Sequence, residues 1–187
     1  AFFRNEVSNH MLRSVCVVKK KILLDIGGIP DYGTPFMGDL AFTVLTCSEE
    51  GMVFTNTALG AQLVHGKNFG YMQTDNYAGY ERTASGFHDW VSARFAPRHD
   101  WNLIKPEMEK FIGRWMVGYG LTLRKHLLKN GVSLKEFNQV LTKIFRIPYV
   151  SIWRWKYYIS AYFPGLFTLL LKIKKLKQPI KWVQETG

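Results

Sequence analysis

A run of fifteen residues without a charged side chain, from Tyr157 to Leu171, most constrains how this chain can fold. The run is rich in Tyr, Phe and Leu, and four lysines follow it within the next six residues. A helix rises about 1.5 Å per residue, so a helical run would be roughly 22 Å long. The hydrocarbon core of a bilayer is about 30 Å thick. Pro164 and Gly165 lie in the middle of the run and predict a kink or a break.

This length leaves several interpretations open. The run spans a membrane if Ile152, Trp153 and Trp155 extend it while Arg154 and Lys156 reach the headgroups. Alternatively, two half-helices lie in the membrane surface, or the run is a deeply buried aromatic helix in a soluble protein or at a subunit interface. Aromatic side chains before the run and lysines after it are typical of membrane rims and favour membrane contact. The predicted membrane- and lipid-contact residues are Trp153, Arg154, Trp155, Lys156, Tyr157, Tyr158, Phe163, Phe167, Lys172, Lys174, Lys175 and Lys177.

The positive charge of the chain is concentrated in its C-terminal part. Residues 1–109 carry ten Lys or Arg and twelve Asp or Glu, a net charge of −2. Residues 110–187 carry fifteen Lys or Arg and only two acidic residues, a net charge of +13. Such asymmetry predicts an anionic partner, which is a lipid headgroup, RNA or an acidic protein surface. We expect anionic lipid such as cardiolipin, with nucleic acid as the less favoured partner.

The chain is expected to be mainly α-helical, and its clearest local pattern predicts a helical hairpin over residues 106–147. Pro106, followed by acidic residues, favours a first helix that starts there, and Gly131 favours a left-handed cap at its end. A capping box that begins at Ser133 predicts the second helix, which Pro148 ends. Three glycines in the first helix each cost about 1 kcal/mol relative to alanine and predict close helix–helix approach. They are Gly113, Gly118 and Gly120.

The N-terminal half is expected to be irregular and rich in Gly and Tyr, with a short β-hairpin. Leu40–Cys47 and Met52–Thr55 are rich in β-branched and aromatic residues, and Ser48–Gly51 would turn between them. A helix over 39–47 is the competing interpretation. His65–Ser85 lacks periodicity, which predicts extended coil packed against a neighbour. Four segments result: an N-terminal arm with a Gly/Pro linker over 1–38, a mixed region over 39–105, the helical hairpin over 106–147, and an aromatic apolar segment with a polybasic tail over 148–187.

The sequence carries no catalytic signature, because it lacks a phosphate-binding glycine loop, a nucleophile elbow and a metalloprotease motif. His88-Asp89 and His99-Asp100 each precede a tryptophan, but neighbouring residues on a helix do not face each other. A helix start at Asp100 or Asn102 is the favoured role for the second pair. The two cysteines lack CxxC spacing and are expected to be reduced thiols. We therefore predict no catalytic residue, cofactor or metal.

The favoured function is a non-catalytic accessory subunit of a membrane-bound multiprotein complex. The expected location is the mitochondrial inner membrane, in an energy-converting complex such as ATP synthase or the respiratory chain, where the partners are other protein subunits and anionic lipid. A first residue other than Met is compatible with a removed mitochondrial leader. The alternative is an RNA-binding structural protein, such as an organellar ribosomal component, that binds through Trp153–Tyr157. The third hypothesis is a membrane-surface enzyme that acts on lipid with His88, Asp89, His99 and Asp100.

Overall fold

The computed structural model describes residues 2–4, 17–29, 37–50, 77–166 and 168–170. A 3-10 turn over Phe2–Arg4 precedes the α-helices. The helices are α1 (Lys20–Asp25), α2 (Gly38–Glu50), α3 (Tyr77–Phe95), α4 (Trp101–Lys129), α5 (Lys135–Ile144), α6 (Pro148–Ser151) and α7 (Arg154–Tyr162). Residues 164–166 and 168–170 are also helical. The described residues are mostly helical and contain no strand, which confirms the expectation of a mainly α fold.

The strand predicted for Leu40–Cys47 is wrong, because these residues lie within helix α2. Ala41 and Leu45 are buried one turn apart, which is helical spacing. Two threonines of the helix donate their hydroxyls to carbonyls one turn earlier, and this satisfies polar groups that the helix buries. The competing helical interpretation is thus correct here. The other predicted strand, Met52–Thr55, lies outside the described residues.

Helix α3 begins at Tyr77, inside the stretch that was expected to be extended coil. That expectation is wrong for residues 77–85, and the earlier part of the stretch lies outside the described residues. A stripe of fully buried side chains runs along the helix. Its members are Tyr80, Ala84, Phe87 and Val91. Their spacing of three and four residues places them on one face, and helices α2 and α5 pack against α3.

Helix α4 begins at Trp101 and ends at Lys129, so it starts before Pro106, which lies inside it. Asp100 precedes the helix as one of the two expected start residues, but its side chain makes no capping hydrogen bond. Gly131 has a φ of 66° just after the helix ends, which confirms the predicted left-handed cap.

The N-cap residue of helix α5 is Leu134, which makes no side-chain capping hydrogen bond, and Ser133 lies one residue earlier, where its Oγ accepts a hydrogen bond from the backbone N–H of Lys135 at 3.2 Å. Within the described residues, the reciprocal hydrogen bond from Glu136 that a full capping box requires is not formed. The helix buries an apolar face, and the ring of Phe137 stacks on Tyr80 of α3 at a centroid distance of 6.3 Å. The second predicted helix therefore exists, ends at Ile144, and packs across α3.

Two glycines of helix α4 let neighbouring elements pack closely against it. A Cβ added at Gly113 would collide with the indole of Trp153 and lie 2.8 Å from the carbonyl oxygen of Tyr149. A Cβ added at Gly120 would lie 2.7 Å from Tyr80 Oη of helix α3, and 3.4 Å from the ring of Tyr157, which is an ordinary contact distance. The two glycines are seven residues apart, which puts them on one face of the helix. The predicted close approach is confirmed at these two positions.

Helix α7 runs parallel to α4, because successive contacts advance in the same direction along both helices. They begin at Trp153 beside Gly113 and end where the ring of Tyr162 covers Arg124. Gly118 is exposed, and no atom lies within 4 Å of a Cβ added there. The prediction of close approach is therefore wrong for this third glycine.

The N-terminal turn packs on helix α4 of the same chain. The ring of Phe3 lies edge-on to Phe111 with a centroid distance of 5.7 Å. Arg114 Nη2 donates a hydrogen bond to the carbonyl oxygen of Phe3 at 2.6 Å. Phe3 thereby joins one hydrophobic core, which gathers side chains from all four segments predicted along the chain.

Candidate membrane-contact surface

Helix α7 has one face in the core and one face that points away from it. Tyr157 is only 1% exposed, and it packs with Trp153 against the core. Trp155 is 57% exposed, Tyr162 is 50% exposed, and Tyr158 is also exposed. Intervals of three and four residues place these three rings on one side of the helix. The helix therefore presents an exposed aromatic stripe beside the face that packs against the core.

The exposed apolar surface continues beyond α7. The helix ends at Tyr162, where Phe163 adopts φ −130° and ψ 60°, and this confirms the break predicted at Pro164-Gly165. Phe163 is 62% exposed, and further exposed leucines follow in the next helical turns. The contact surface, as we use the term below, consists of Ile152, Trp155, Tyr158, Tyr162, Phe163, Leu166, Leu169 and Leu170.

Cationic side chains lie over the rings at this part of the molecule. The guanidinium of Arg154 lies 5.5 Å from the ring centroid of Tyr158, and that of Arg124 lies 4.7 Å from the ring centroid of Tyr162. The cation–π attraction favours these arrangements. The contact surface is thus bordered by positive charge.

The rings of the stripe are also held by one another. Tyr158 and Tyr162 stack with a centroid distance of 6.0 Å, and Tyr158 lies at the same distance from Phe145, which follows α5. Such aromatic pairs contribute about 0.5–1.5 kcal/mol each beyond area burial. The stripe is therefore positioned before any partner binds.

Below the ring of Tyr162, two polar groups lie in an apolar setting. Arg124 Nη1 and Tyr157 Oη are both buried, and neither has a hydrogen-bond partner in the described residues. Burial raises the pKa of Tyr157, and the nearby Arg124 guanidinium opposes this rise through its charge and through a weak contact with the phenol oxygen. Among the described residues, no carboxylate forms an ion pair with Arg124.

The residues predicted for membrane contact divide into three groups. Trp155, Tyr158 and Phe163 belong to the contact surface, and Arg154 is exposed beside it. Tyr157 faces the core, and Trp153 and Lys156 are half-buried, with the lysine Nζ 5.4 Å from the ring centroid of Trp153. The side chains that lie outside the described residues are Phe167, Lys172, Lys174, Lys175 and Lys177.

Sequence reasoning missed several members of this surface. The interval from Trp155 through Tyr158 to Tyr162 is a helical repeat that could have identified Tyr162. Arg124 lies on a different helix, and only tertiary packing brings it to the stripe. The other members that were missed are Ile152, Leu166, Leu169 and Leu170.

Across the described part of the chain, no helix combines the length and the apolar character that crossing a membrane requires.

The first His-Asp pair lies on helix α3 and faces α4. His88 Nδ1 is 3.4 Å from Asp89 Oδ1, so the expectation that these neighbours do not face each other is wrong for this pair. The exposed carboxylate of Asp89 turns back toward the imidazole. His88 Nε2 lies 3.6 Å from Glu109 Oε1, and the imidazole stacks on Tyr149 at 5.0 Å. The ring is thus held by packing and weak polar contacts.

The second His-Asp pair lies in the turn before helix α4. Asp100 accepts a hydrogen bond from Arg98 Nε at 3.0 Å, and this contact lowers the pKa of Asp100. His99 is exposed. Within the described residues, no group of three or more His, Cys, Asp or Glu side chains could hold a metal ion.

A cavity of about 430 Å³ lies between helix α3 and the segment that contains α1 and α2. Among the described residues, its wall mixes carboxylates, one guanidinium and apolar side chains, without a nucleophile beside a base. The lining residues are Asp25, Ile26, Leu45, Asp89, Trp90, Ala93 and Arg94.

Comparisons with protein-family models, with curated proteins and with solved structures find no match to this chain. Its function must therefore be argued from the geometry and chemistry of the described residues.

Proposed function

We propose that this chain is a non-catalytic accessory subunit of a membrane-bound complex, and that its contact surface rests on an anionic membrane. The proposal is carried by one observation, which is the exposure of eight large apolar side chains within residues 152–170. Single exposed apolar residues are ordinary on soluble proteins, whereas a concentrated patch is typical of a protein or membrane interface.

The chemistry of the surface favours lipid. Tyrosine and tryptophan combine an apolar ring with a polar edge, and they accumulate at the headgroup level of membranes. Each Lys or Arg near an anionic leaflet adds about 1 kcal/mol of attraction, and residues 110–187 carry a net charge of +13. The break at Phe163 suits short helices that lie in the plane of the interface.

As the host we propose an energy-converting assembly of the mitochondrial inner membrane, either ATP synthase or a respiratory-chain complex. The support for this choice is the basic C-terminal part, which would face anionic lipid such as cardiolipin. Other subunits of the complex would cover the faces of the chain that lie away from lipid.

Vesicle co-sedimentation tests the membrane contact with a matched pair of leucine variants. Leu169 is 54% exposed within the contact surface, and Leu103 is 73% exposed near the start of helix α4. Leu169→Ala should weaken binding to vesicles of phosphatidylcholine with phosphatidylglycerol by about tenfold, because burying a leucine contributes about 1.5–3 kcal/mol. Leu103→Ala should bind like the wild type. Equal binding by both variants would contradict the proposed surface.

Sedimentation of detergent extracts, with and without RNase, tests the host. We expect co-sedimentation with a large, RNase-resistant complex whose other subunits are then identified by mass spectrometry. A shift on RNase treatment would favour the RNA-binding alternative instead. A small species that sediments alone without detergent would refute both proposals.

A further inference from the structure

We infer that Arg124 and Tyr157 form a receptor for one phosphate group beneath the ring of Tyr162, at the edge of the contact surface. The inference deepens the proposed membrane contact and rests on it, because it names the chemical group that the surface would recognise. Neither residue was assigned this role by the sequence pattern.

Two buried hydrogen-bond donors at the edge of the contact surface have no acceptor among the described residues. Arg124 Nη1 and Tyr157 Oη are buried, and each lacks a partner in the described residues. A buried donor without a partner is destabilising, and more so when it belongs to a charged group. An oxyanion between them would accept hydrogen bonds from both groups and offset the charge of Arg124.

The packing of helix α7 on helix α4 builds the site. The ring of Tyr157 lies beside Gly120, and its Cε2 would be at a contact distance of 3.4 Å from a Cβ added at that position. Arg124 follows Gly120 by one turn on the same face of α4. The hydroxyl and the guanidinium are therefore brought together by two rigid helices, as a preformed binding site requires.

A single aromatic ring covers the site. The ring of Tyr162 lies over the guanidinium at 4.7 Å, yet Tyr162 is half exposed and is the last residue of α7. A rotation of this one side chain would open the site toward the contact surface. The site thus opens on the side where membrane headgroups would lie.

Phosphate fits these donors better than a carboxylate does. A guanidinium presents its N–H groups as a planar fork, and a tetrahedral phosphate has enough oxygens to accept from the fork and from a hydroxyl together. The same chemistry is offered by a lipid headgroup and by free inorganic phosphate, and the experiment below separates these sources.

The test compares Arg124→Lys with Arg146→Lys, a control at an exposed arginine. Both changes keep the charge, and only the first removes the fork from the site. One set of vesicles contains phosphatidylglycerol in phosphatidylcholine. A second set is free of phosphate and consists of fatty acid in galactolipid at equal surface charge. Arg124→Lys should weaken binding to the phosphate-containing vesicles by about tenfold, and leave binding to the phosphate-free vesicles unchanged.

Tyr157→Phe provides a second variant that preserves the packing. It should weaken binding to the phosphate-containing vesicles several-fold while the melting temperature stays equal or rises, because the lost hydroxyl donates to no acceptor among the described residues. If Arg124→Lys and Tyr157→Phe bind both kinds of vesicle as the wild type does, the receptor is refuted.

Calorimetric titration with inorganic phosphate identifies the source of the ligand. Binding that Arg124→Lys abolishes would assign free phosphate, whereas an effect confined to vesicles would assign the lipid headgroup. Wild-type protein that binds neither kind of vesicle would refute the proposed membrane contact. The calorimetric result would then decide the receptor, because phosphate binding that Arg124→Lys abolishes would support it and no phosphate binding would refute it.

Discussion

Replacing Gly113 by alanine should destabilise the fold, whereas the same replacement at Gly118 should stabilise it. Both glycines lie inside helix α4, so both changes gain about 1 kcal/mol of helix propensity. They differ in what the new methyl group would meet. At Gly113 it would collide with the indole of Trp153 and approach the carbonyl oxygen of Tyr149 to 2.8 Å. At Gly118 no atom lies within 4 Å.

The size of the effect follows from these contacts. Inserting a methyl group into a packed interface costs about 1–3 kcal/mol when the neighbours adjust. Expelling Trp153 entirely would cost about 3–5 kcal/mol. Since a backbone oxygen forms part of the obstacle, side-chain rotation alone cannot relieve the clash at Gly113. We therefore expect Gly113→Ala to be less stable than Gly118→Ala by about 2–4 kcal/mol.

Thermal unfolding followed by circular dichroism measures this difference. For a chain of this size, 1 kcal/mol corresponds to roughly 2–4 °C in melting temperature, so the two variants should melt well apart. Combining Gly113→Ala with Trp153→Ala should remove the indole part of the clash, whereas the contact with the Tyr149 carbonyl oxygen remains. Equal melting temperatures for the two single variants would refute the close packing of Trp153 and Tyr149 on Gly113.

Further predictions concern the core and its titration. Trp153→Ala should lower the free energy of unfolding by about 3 kcal/mol, whereas Trp155→Ala should change it by less than about 0.5 kcal/mol in denaturant unfolding; similar losses would contradict the assigned faces of α7. Phe3→Ala should cost about 3 kcal/mol by the same assay, and an unchanged midpoint would show that the N-terminal turn is not docked on α4. Burial raises the pKa of Tyr149 to about 12, so stability should be constant below about pH 10 and fall as the pH rises toward 12. Tyr149→Phe should reduce this alkaline slope, and an unchanged slope would contradict the burial of the phenol.

Local patterns predicted the C-terminal half of the fold well. The left-handed residue at Gly131 and the break near Pro164 depend on a few neighbouring residues, so each could be identified from the chain alone. The errors lie where composition was used in place of periodicity. Helices α2 and α3 are rich in β-branched, glycine and aromatic residues, but their buried residues follow helical spacing, and packing overrides weak propensity.

The candidate site was predicted only in part. The aromatic and cationic character of residues 153–163 is a property of the sequence, and Trp155, Tyr158 and Phe163 are exposed as a contact surface needs. The inward orientation of Tyr157 could not be predicted from composition, because it depends on contacts with other helices, such as the contact with Gly120 of α4.

The sequence by itself determined the charge asymmetry, the left-handed residue that ends helix α4 and the uncharged aromatic run, because these depend on residue type and short-range spacing. Only the tertiary structure decided which rings are buried and which cations meet them. Close packing at Gly113 holds Trp153 against α4, and the packing of α7 that follows turns Trp155 outward and brings Arg124 under Tyr162. The physical reason is that burial of a helical side chain is set by the neighbour it packs against, and that neighbour lies far away along the chain.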